Sequence, residues 1–354
     1  MPLPSIDPAN YDAQLAPKLA QFKHAYAPFA IPEPDVFPSA PEHYRMRAEF
    51  RIWHQDEQLD YAMFDPEQPK QPVMVEDFPM AAASICGLMP RLMARLRASQ
   101  TLRGGLFQVD FLATLSGELM VTLVYHRRLG EGWELAARDL AADLQIQVIG
   151  RSRGQKVVLE RDWLLEELAL NGRRLRYQQI EGSFTQPNAG VNRQMLGWAC
   201  ARAASLGGDL LELYCGNGNF TMALAPLFGK VLATEVCKSS VRAAEYNIAA
   251  NAVANAEISD VLAGREVLKR MQGIDLADYR FSTLFVDPPR SGLDAPTLEL
   301  AAGYENILYI TCNPQTQQEN VAALQATHQV SAAAVFDQFP YTHHLECGLL
   351  LTRR

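Results

Sequence analysis

The chain has 354 residues, 48% of them hydrophobic and 20% charged, with a formal net charge of −8. That length suits about two domains, and the composition excludes a chain dominated by disorder. No apolar run approaches the ~18 residues of a membrane span, and the acidic balance excludes a protein that coats nucleic acid or anionic lipid indiscriminately. The opening MPLPSIDPAN has neither a basic n-region nor an apolar h-region, so no secretory signal is expected. Six cysteines form no C-x-x-C pair, which argues against a zinc ribbon, an iron–sulfur cluster or a disulfide framework. Free thiols without a signal point to the cytoplasm.

Residues 1–40 are punctuated by eight prolines around one expected helix, about Tyr11 to Tyr26, which Pro17 bends or begins. RMRAEFRIW (Arg45–Trp53) alternates strictly, Met46, Ala48, Phe50 and Ile52 against Arg45, Arg47, Glu49 and Arg51, and reads as a half-buried strand. Leu106–Leu115 and Glu118–His126, joined at Ser116-Gly117, read as a hairpin. Helices fall near Ala81–Ser99, interrupted by Pro90, and Trp133–Leu144; further strand lies near Lys156–Glu160 and Leu175–Ile180. This half predicts an antiparallel sheet with helices on it. From about Gly182 strand and helix alternate, as in a parallel α/β sheet. The expected strands are Asp209–Leu213, Val231–Thr234, Thr283–Val286, Ile307–Thr311, Ala333–Phe336 and Gly348–Thr352, the last two antiparallel. Helices are expected at Asn188–Ala204, from about Asn219, and at Ser239–Asn251.

LLELYCGNGNF sets a glycine-rich turn after an apolar strand and before a helix, where parallel sheets bind ligands. Glu235 ends the next strand, 19 residues after Gly216, where a carboxylate accepts hydrogen bonds from ribose hydroxyls. The turn lacks the third glycine of G-x-G-x-x-G, which favours S-adenosylmethionine over a dinucleotide; a tight turn with no ligand is the bland alternative. VDPPRSG (Val286–Gly292) and YITCNP (Tyr309–Pro314) put Asp287, Arg290 and Cys312 just past further strands. FDQFPYTHHLECG (Phe336–Gly348) carries His343, His344, Glu346 and Cys347 between the last two. Loops after successive strands converge on one crevice. A cysteine at a strand end is by itself usually a small buried hydrophobe, and a lone glutamate in a loop is usually solvated. Cys86, Cys200, Cys237 and Cys347 keep the packing reading, and Cys215 packs under the turn. No fourth ligand stands near His343, His344 and Cys347 to make a metal site; the histidines orient the crevice or meet phosphate. Asp287 and Arg290 form a structural pair or a ligand site, with Arg290 left open.

LLELYCGNGNF, VDPPRSGLD, YITCNP and FDQFPYTHHLECG together resemble the motifs of the RNA uracil-C5 methyltransferases, and RMRAEFRIW and SFTQPN resemble the bacterial tRNA (uracil-5-)-methyltransferase branch. The resemblance spans residues 45–348. Ribosomal-RNA relatives typically carry an N-terminal cysteine cluster, and this chain has only Cys86 before residue 200. The implied fold is α/β: a Rossmann-like S-adenosylmethionine methyltransferase domain over residues 181–354, preceded by an α+β antiparallel RNA-binding domain over residues 1–180. The implied reaction is methylation of C5 of the T-loop uridine of tRNA, and of the similar arm of transfer-messenger RNA, with no obligate protein partner, membrane or metal. By the same resemblance Cys312 is the nucleophile and Glu346 the general base. Gln186, Tyr214, Asn219, Glu235 and Asp287 would contact S-adenosylmethionine. The chemistry needs those types: a thiolate at C6 gives C5 carbanion character, and a base must later remove the C5 proton.

The polar face of Arg45–Trp53 and the run His126-Arg127-Arg128 make the first half the expected RNA module. Arg51, Phe107 and His126 are its candidate contacts, Phe107 as the aromatic that replaces stacking lost when a uridine flips out. The alternative for Phe107 is a core residue, and for the arginines a solvated face. Rival functions are the same methylation on ribosomal RNA and a tRNA-binding or folding protein in which methylation is secondary. An amino-methylating enzyme is disfavoured because D-P-P-R replaces N-P-P-[YF].

Overall fold

The computed structural model describes residues 6–260, apart from 56, 57, 66, 67 and 69, and residues 276–354. Pro2 and Pro4, and with them the first half of the segment read for a secretory signal, lie outside the described residues. No helix among the described residues is long and apolar enough to cross a membrane.

The described residues form three sheets. One has eight strands, in spatial order Asp35–Phe37 (β1), His328–Phe336 (β16), Glu346–Arg353 (β17), Asn306–Thr311 (β15), Phe281–Val286 (β14), Asp209–Leu213 (β11), Val231–Thr234 (β12) and Ala256–Ser259 (β13). A second has seven: Pro72–Met74 (β4), Gln58–Phe64 (β3), Arg47–Gln55 (β2), Leu106–Ala113 (β5), Leu119–Tyr125 (β6), Gln147–Ser152 (β7) and Gln155–Val158 (β8). The third is a ribbon of Trp163–Leu170 (β9) and Arg173–Ile180 (β10).

Alternation fixes the seven-stranded sheet. Ala48, Phe50 and Ile52 of β2 are buried, while Glu49 and Arg51 face out. Phe50 is 1% exposed, a burial that contributes roughly 1.5–3 kcal/mol. The helices Ala83–Ala98 and Glu131–Leu144 press Leu88, Leu92, Leu96, Trp133 and Leu140 into that same core. Pro90 lies inside the first of these helices without ending it. This sheet departs from the expected antiparallel pattern at one place: β6 and β7 pair in parallel, because the helix Glu131–Leu144 carries the chain back across the sheet.

In the eight-stranded sheet β11 to β15 are parallel, all but the edge strand β13 fully or largely buried, and β17 enters antiparallel between β15 and β16. Chain order reverses beside β11, with β12 on one flank and β14 on the other, so the crevice that binds ligands opens at the carboxyl ends of β11 and β14. The first described segment joins this sheet. β1 pairs with β16, and the helix Tyr11–Tyr26, with Pro17 inside it, buries Phe22 and Tyr26 against Leu349 and Leu351. The ribbon turns at Asn171-Gly172, both at positive φ, the two-residue turn that matches strand twist. Its Leu168, Leu175 and Tyr177 pack on the helix Ala189–Ala203 in the core of the eight-stranded sheet.

Candidate active site

β11 is buried along its whole length and ends at Leu213. The next residue, Tyr214, takes φ 62, a left-handed conformation that is strained for an aromatic side chain and clusters at functional sites. Gly216 and Gly218 follow at φ 58 and 77. A Cβ on Gly216 would meet nothing within 4 Å, so this backbone lines open space. The Glu235 carboxylate accepts hydrogen bonds from the N–H groups of Gly216 (2.9 Å), Val236 (2.9 Å) and Cys237 (2.8 Å). Three donors fix its orientation across the mouth of the turn. From the ribbon, Tyr177 Oη donates to the Asn219 carbonyl at 2.9 Å, while Asn219 and Asn192 exchange two side-chain hydrogen bonds of 2.8 and 3.0 Å. Asn219 is thereby held at the first position of the helix Asn219–Leu224. Val236, 56% exposed, and Phe184, 71% exposed, offer apolar faces on loops that meet at Ser183 and Ser239, whose Oγ atoms lie 3.3 Å apart. An open glycine backbone, an oriented carboxylate and exposed apolar side chains fit a compact nucleoside. Gln186 sits on the loop with Phe184 and accepts from Gln338 Nε2 at 2.6 Å, which ties it to the segment after β16.

Beneath the turn, Glu212 is wholly buried and accepts from Thr221 Oγ1 at 2.6 Å. Burial, and secondarily the charge of Asp287, pushes its carboxyl from 4.5 up to about 8. Between those values Glu212 keeps in the folded chain a proton that the unfolded chain has lost, so its contribution to stability falls as pH rises from 4.5 to 8 and is flat outside that window. The contribution is on the order of a few kcal/mol. Denaturant melts of Glu212→Gln across pH 5–8 are expected to lose that slope, whatever their offset from the wild type; an unchanged slope would assign the pH dependence to another group.

Strand register brings the chemistry-bearing residues together. Thr311 of β15 pairs with Cys347 of β17, so Cys312, one step further, comes opposite Glu346, one step back. Leu213 pairs with Val286, which sets Tyr214 beside Asp287. Burial raises the Tyr214 phenol above its usual range. Glu346 is 3% exposed. Burial, then the charge of Asp287, holds its carboxyl well above the usual range, against an opposing pull from Arg290. Asp287 is itself pushed up by burial to about 7. The Cys312 thiol is raised by burial and by Glu346, while a hydrogen bond from Arg290 pulls it down. Arg290 is thus the guanidinium that faces both groups, and its carbonyl accepts from Asn313 Nδ2 at 2.7 Å, locking the two loops. Asn313 caps the helix Pro314–Leu324, whose positive end favours a thiolate at Cys312.

The three RNA candidates also meet. Phe107 is the extra residue of a bulge between Leu106 and Gln108, and bulges re-aim side chains. The Arg51 guanidinium lies 3.9 Å from the centre of its ring, and the His126 ring 4.1 Å from it. Arg51 and His126 are exposed and Phe107 is half-buried. Arg47, by contrast, donates inward to the Ser183 carbonyl at 2.8 Å.

Two expectations change. Glu346 begins β17 rather than lying between the last two strands, because the pairing with β16 already starts at Phe336 and Glu346, and its burial rules out the alternative of a solvated carboxylate. Cys237 is exposed rather than packed; hydrogen bonds, chiefly from Ser239, lower its thiol to about 7. Nothing in the sequence marks Gln338 or the expected helix Tyr11–Tyr26 as part of the site, since a glutamine in a loop and an ordinary helix carry no motif. Among the described residues no group of three or more His, Cys, Asp and Glu side chains could hold a metal ion.

A doubly wound sheet with a glycine turn, a carboxylate oriented across that turn and a thiol–carboxylate pair at adjacent strand ends defines a Rossmann-like methyltransferase. The family model described as tRNA (Uracil-5-)-methyltransferase matches residues 10–354, and the chain belongs to that family. It is 69% identical to the tRNA/tmRNA (uracil-C(5))-methyltransferase of Aromatoleum aromaticum, over 100% of this chain and 98% of that protein. It is 66% identical to the protein of the same name from Dechloromonas aromatica, over 100% of both. Its fold is shared with the Pyrococcus abyssi tRNA (uracil-54, C5)-methyltransferase crystallised with S-adenosyl-L-homocysteine: TM-score 0.73, 21% identity, 97% of this chain and 84% of that one.

Proposed function

We infer that this chain transfers a methyl group from S-adenosylmethionine to C5 of a uridine in tRNA, at the T-loop, and in the similar arm of transfer-messenger RNA. The observation that carries the reading is Cys312 and Glu346 brought side by side at the ends of β15 and β17, with Arg290 facing both. S-adenosylmethionine supplies the methyl on a sulfonium; Gln186, Tyr214, Asn219, Glu235 and Asp287 hold it, Glu235 on the ribose. The Cys312 thiolate adds to C6 of the uracil, and the ring electrons moved onto C5 form the bond to the methyl carbon as its bond to the sulfonium sulfur breaks and S-adenosylhomocysteine leaves with that electron pair. Glu346 then takes the C5 proton, the C5–C6 double bond returns, and Cys312 leaves as thiolate. Arg290 favours the anionic forms of both groups, the Cys312 thiolate before it attacks and after it leaves, and the Glu346 carboxylate until it takes the proton.

The seven-stranded sheet is the RNA module, with the division of labour near residues 180 and 181, and Arg51, Phe107 and His126 form its stacking cluster. The enzyme works in the cytoplasm with no obligate protein partner. The test is transfer of labelled methyl groups to tRNA lacking 5-methyluridine, with the product mapped. Incorporation at the T-loop uridine is expected; incorporation into ribosomal RNA alone overturns the reading. Base-on-aromatic stacking contributes ~1–3 kcal/mol, so Phe107→Ala is expected to weaken tRNA binding about 5- to 150-fold with cofactor affinity unchanged. Equal tRNA affinity in a filter-binding titration removes Phe107 from the interface.

A further inference from the structure

Beside the Cys312 thiol lies a cavity of about 340 Å³ with walls from two distant parts of the chain. One wall comes from the catalytic loops, with Arg290, Gln315 and His343. The other is the helix Tyr11–Tyr26, which contributes Lys18, Gln21, Phe22 and Ala25. At ~30 Å³ per water the space holds about eleven waters, whereas a uracil ring displaces roughly eight water-sized atoms. The cavity therefore takes more than the base.

The helix is fastened to the elements that flank the thiol. Asp337, wholly buried, accepts from Tyr11 Oη at 2.6 Å, Gln14 Nε2 at 2.7 Å and Lys18 Nζ at 2.6 Å. Lys18 also donates to the Phe339 carbonyl at 2.9 Å, and Gln14 Oε1 accepts from the Tyr341 N–H at 2.9 Å. At the far end Tyr26 Oη donates to Gln317 Oε1 at 2.6 Å. Asp337 to Tyr341 lead into His343 and Glu346, and Gln317 lies on the helix that follows Cys312. The core is covered by the apolar side chains of this helix, Leu15, Leu19, Phe22 and Tyr26. A buried ion pair adds little net stability over apolar packing, so the Asp337 cluster fixes placement. Because Asp337 matches the charge of Lys18, the cation open to the cavity is Arg290, with the rings of His343 and His344 beside it. Guanidinium, imidazole and the exposed carboxamides of Gln21 and Gln315 suit a sugar–phosphate.

We propose that the N-terminal helix belongs to the RNA site: its Lys18–Ala25 face, positioned by Asp337, is the wall on which the ribose and flanking phosphate of the target nucleotide rest. The proposal depends on the uracil methyltransferase reading above. Gln21→Glu puts a negative charge on this wall at an exposed position. It is expected to raise KM for tRNA about 10-fold, with less than a twofold change in kcat, in affinity for S-adenosylmethionine and no change in Tm. The paired Lys18→Met, Asp337→Asn variant, which removes both buried charges, is expected to raise KM for tRNA while retaining cofactor binding. A wild-type KM in Gln21→Glu overturns the proposal. Adduct formation between the wild type and tRNA containing 5-fluorouridine is measured alongside. If the wild type forms it and Gln21→Glu keeps a normal KM, the helix is not in the site but the reading stands; if the wild type forms none, both fall.

Discussion

Cys312→Ala is expected to abolish methyl transfer, a loss on the order of 10⁴-fold or more for removal of a covalent nucleophile, while S-adenosylmethionine binds within about twofold of normal. The separation follows from placement. The residues proposed to hold the cofactor, Tyr214, Asn219 and Glu235, gather around the glycine turn, held by backbone bonds such as Gly216 N–H to Glu235. Cys312 instead ends β15, two strands from β11, and lines the cavity against the N-terminal helix. Uracil C5 is a poor nucleophile toward a methylsulfonium, so a chain without the thiol retains the donor and lacks the means to make C5 attack it. 5-Fluorouridine gives the direct measurement. Fluorine cannot leave as a proton, so the adduct stalls after methyl transfer: the wild type should give a slow-migrating protein–RNA band on a denaturing gel, and Cys312→Ala none. A band of wild-type intensity in the variant would move the covalent step to another residue.

Most of the catalytic half was legible because parallel strands buried on both faces write continuous apolar runs. Asp209–Leu213 and Val231–Thr234 emerge with the expected bounds, and the four motifs fall at the strand ends where a switch point needs them. What the motifs could not convey is electrostatics. Glu346 looks like a loop carboxylate in FDQFPYTHHLECG, and its burial follows only from the pairing of β16 with β17, a contact between residues 328–336 and 346–353. The N-terminal half was legible where alternation was clean, as in Arg47–Gln55. The strand Gln147–Ser152 was not anticipated, since its parallel pairing to β6 depends on the helix between them. The ribbon turn Asn171-Gly172 carried a local hairpin code that passed unread. The helix Tyr11–Tyr26 was expected, but not its attachment: Lys18 and Asp337 are 319 residues apart, and no local pattern encodes a partner so distant. Arg51, Phe107 and His126 were named separately; that they form one cluster depends on a single bulged residue in β5.

Glu346→Gln separates the two halves of the reaction. If Glu346 removes the C5 proton, the amide variant still lets Cys312 add and C5 take the methyl, and then stops. Turnover should fall ~10²–10⁴-fold, with a burst of about one methyl per enzyme and a covalent complex that accumulates on ordinary tRNA without any fluorinated base. A loss of the burst as well would place Glu346 before methyl transfer, and full turnover would remove it from the mechanism. The pH profile supplies the second reading. Burial and Asp287 keep Glu346 protonated well above the usual carboxylate range, and burial and Glu346 raise Cys312. Both act only in their deprotonated forms, so kcat/KM in the wild type should climb with pH through neutrality instead of levelling off near pH 5. Arg290 pulls both groups down; Arg290→Gln removes that pull and should displace the rising limb to higher pH. A limb that stays in place would mean that the guanidinium does not compensate the charge on sulfur and carboxylate, and that the two acids are brought to ionisation by the bound RNA and cofactor instead.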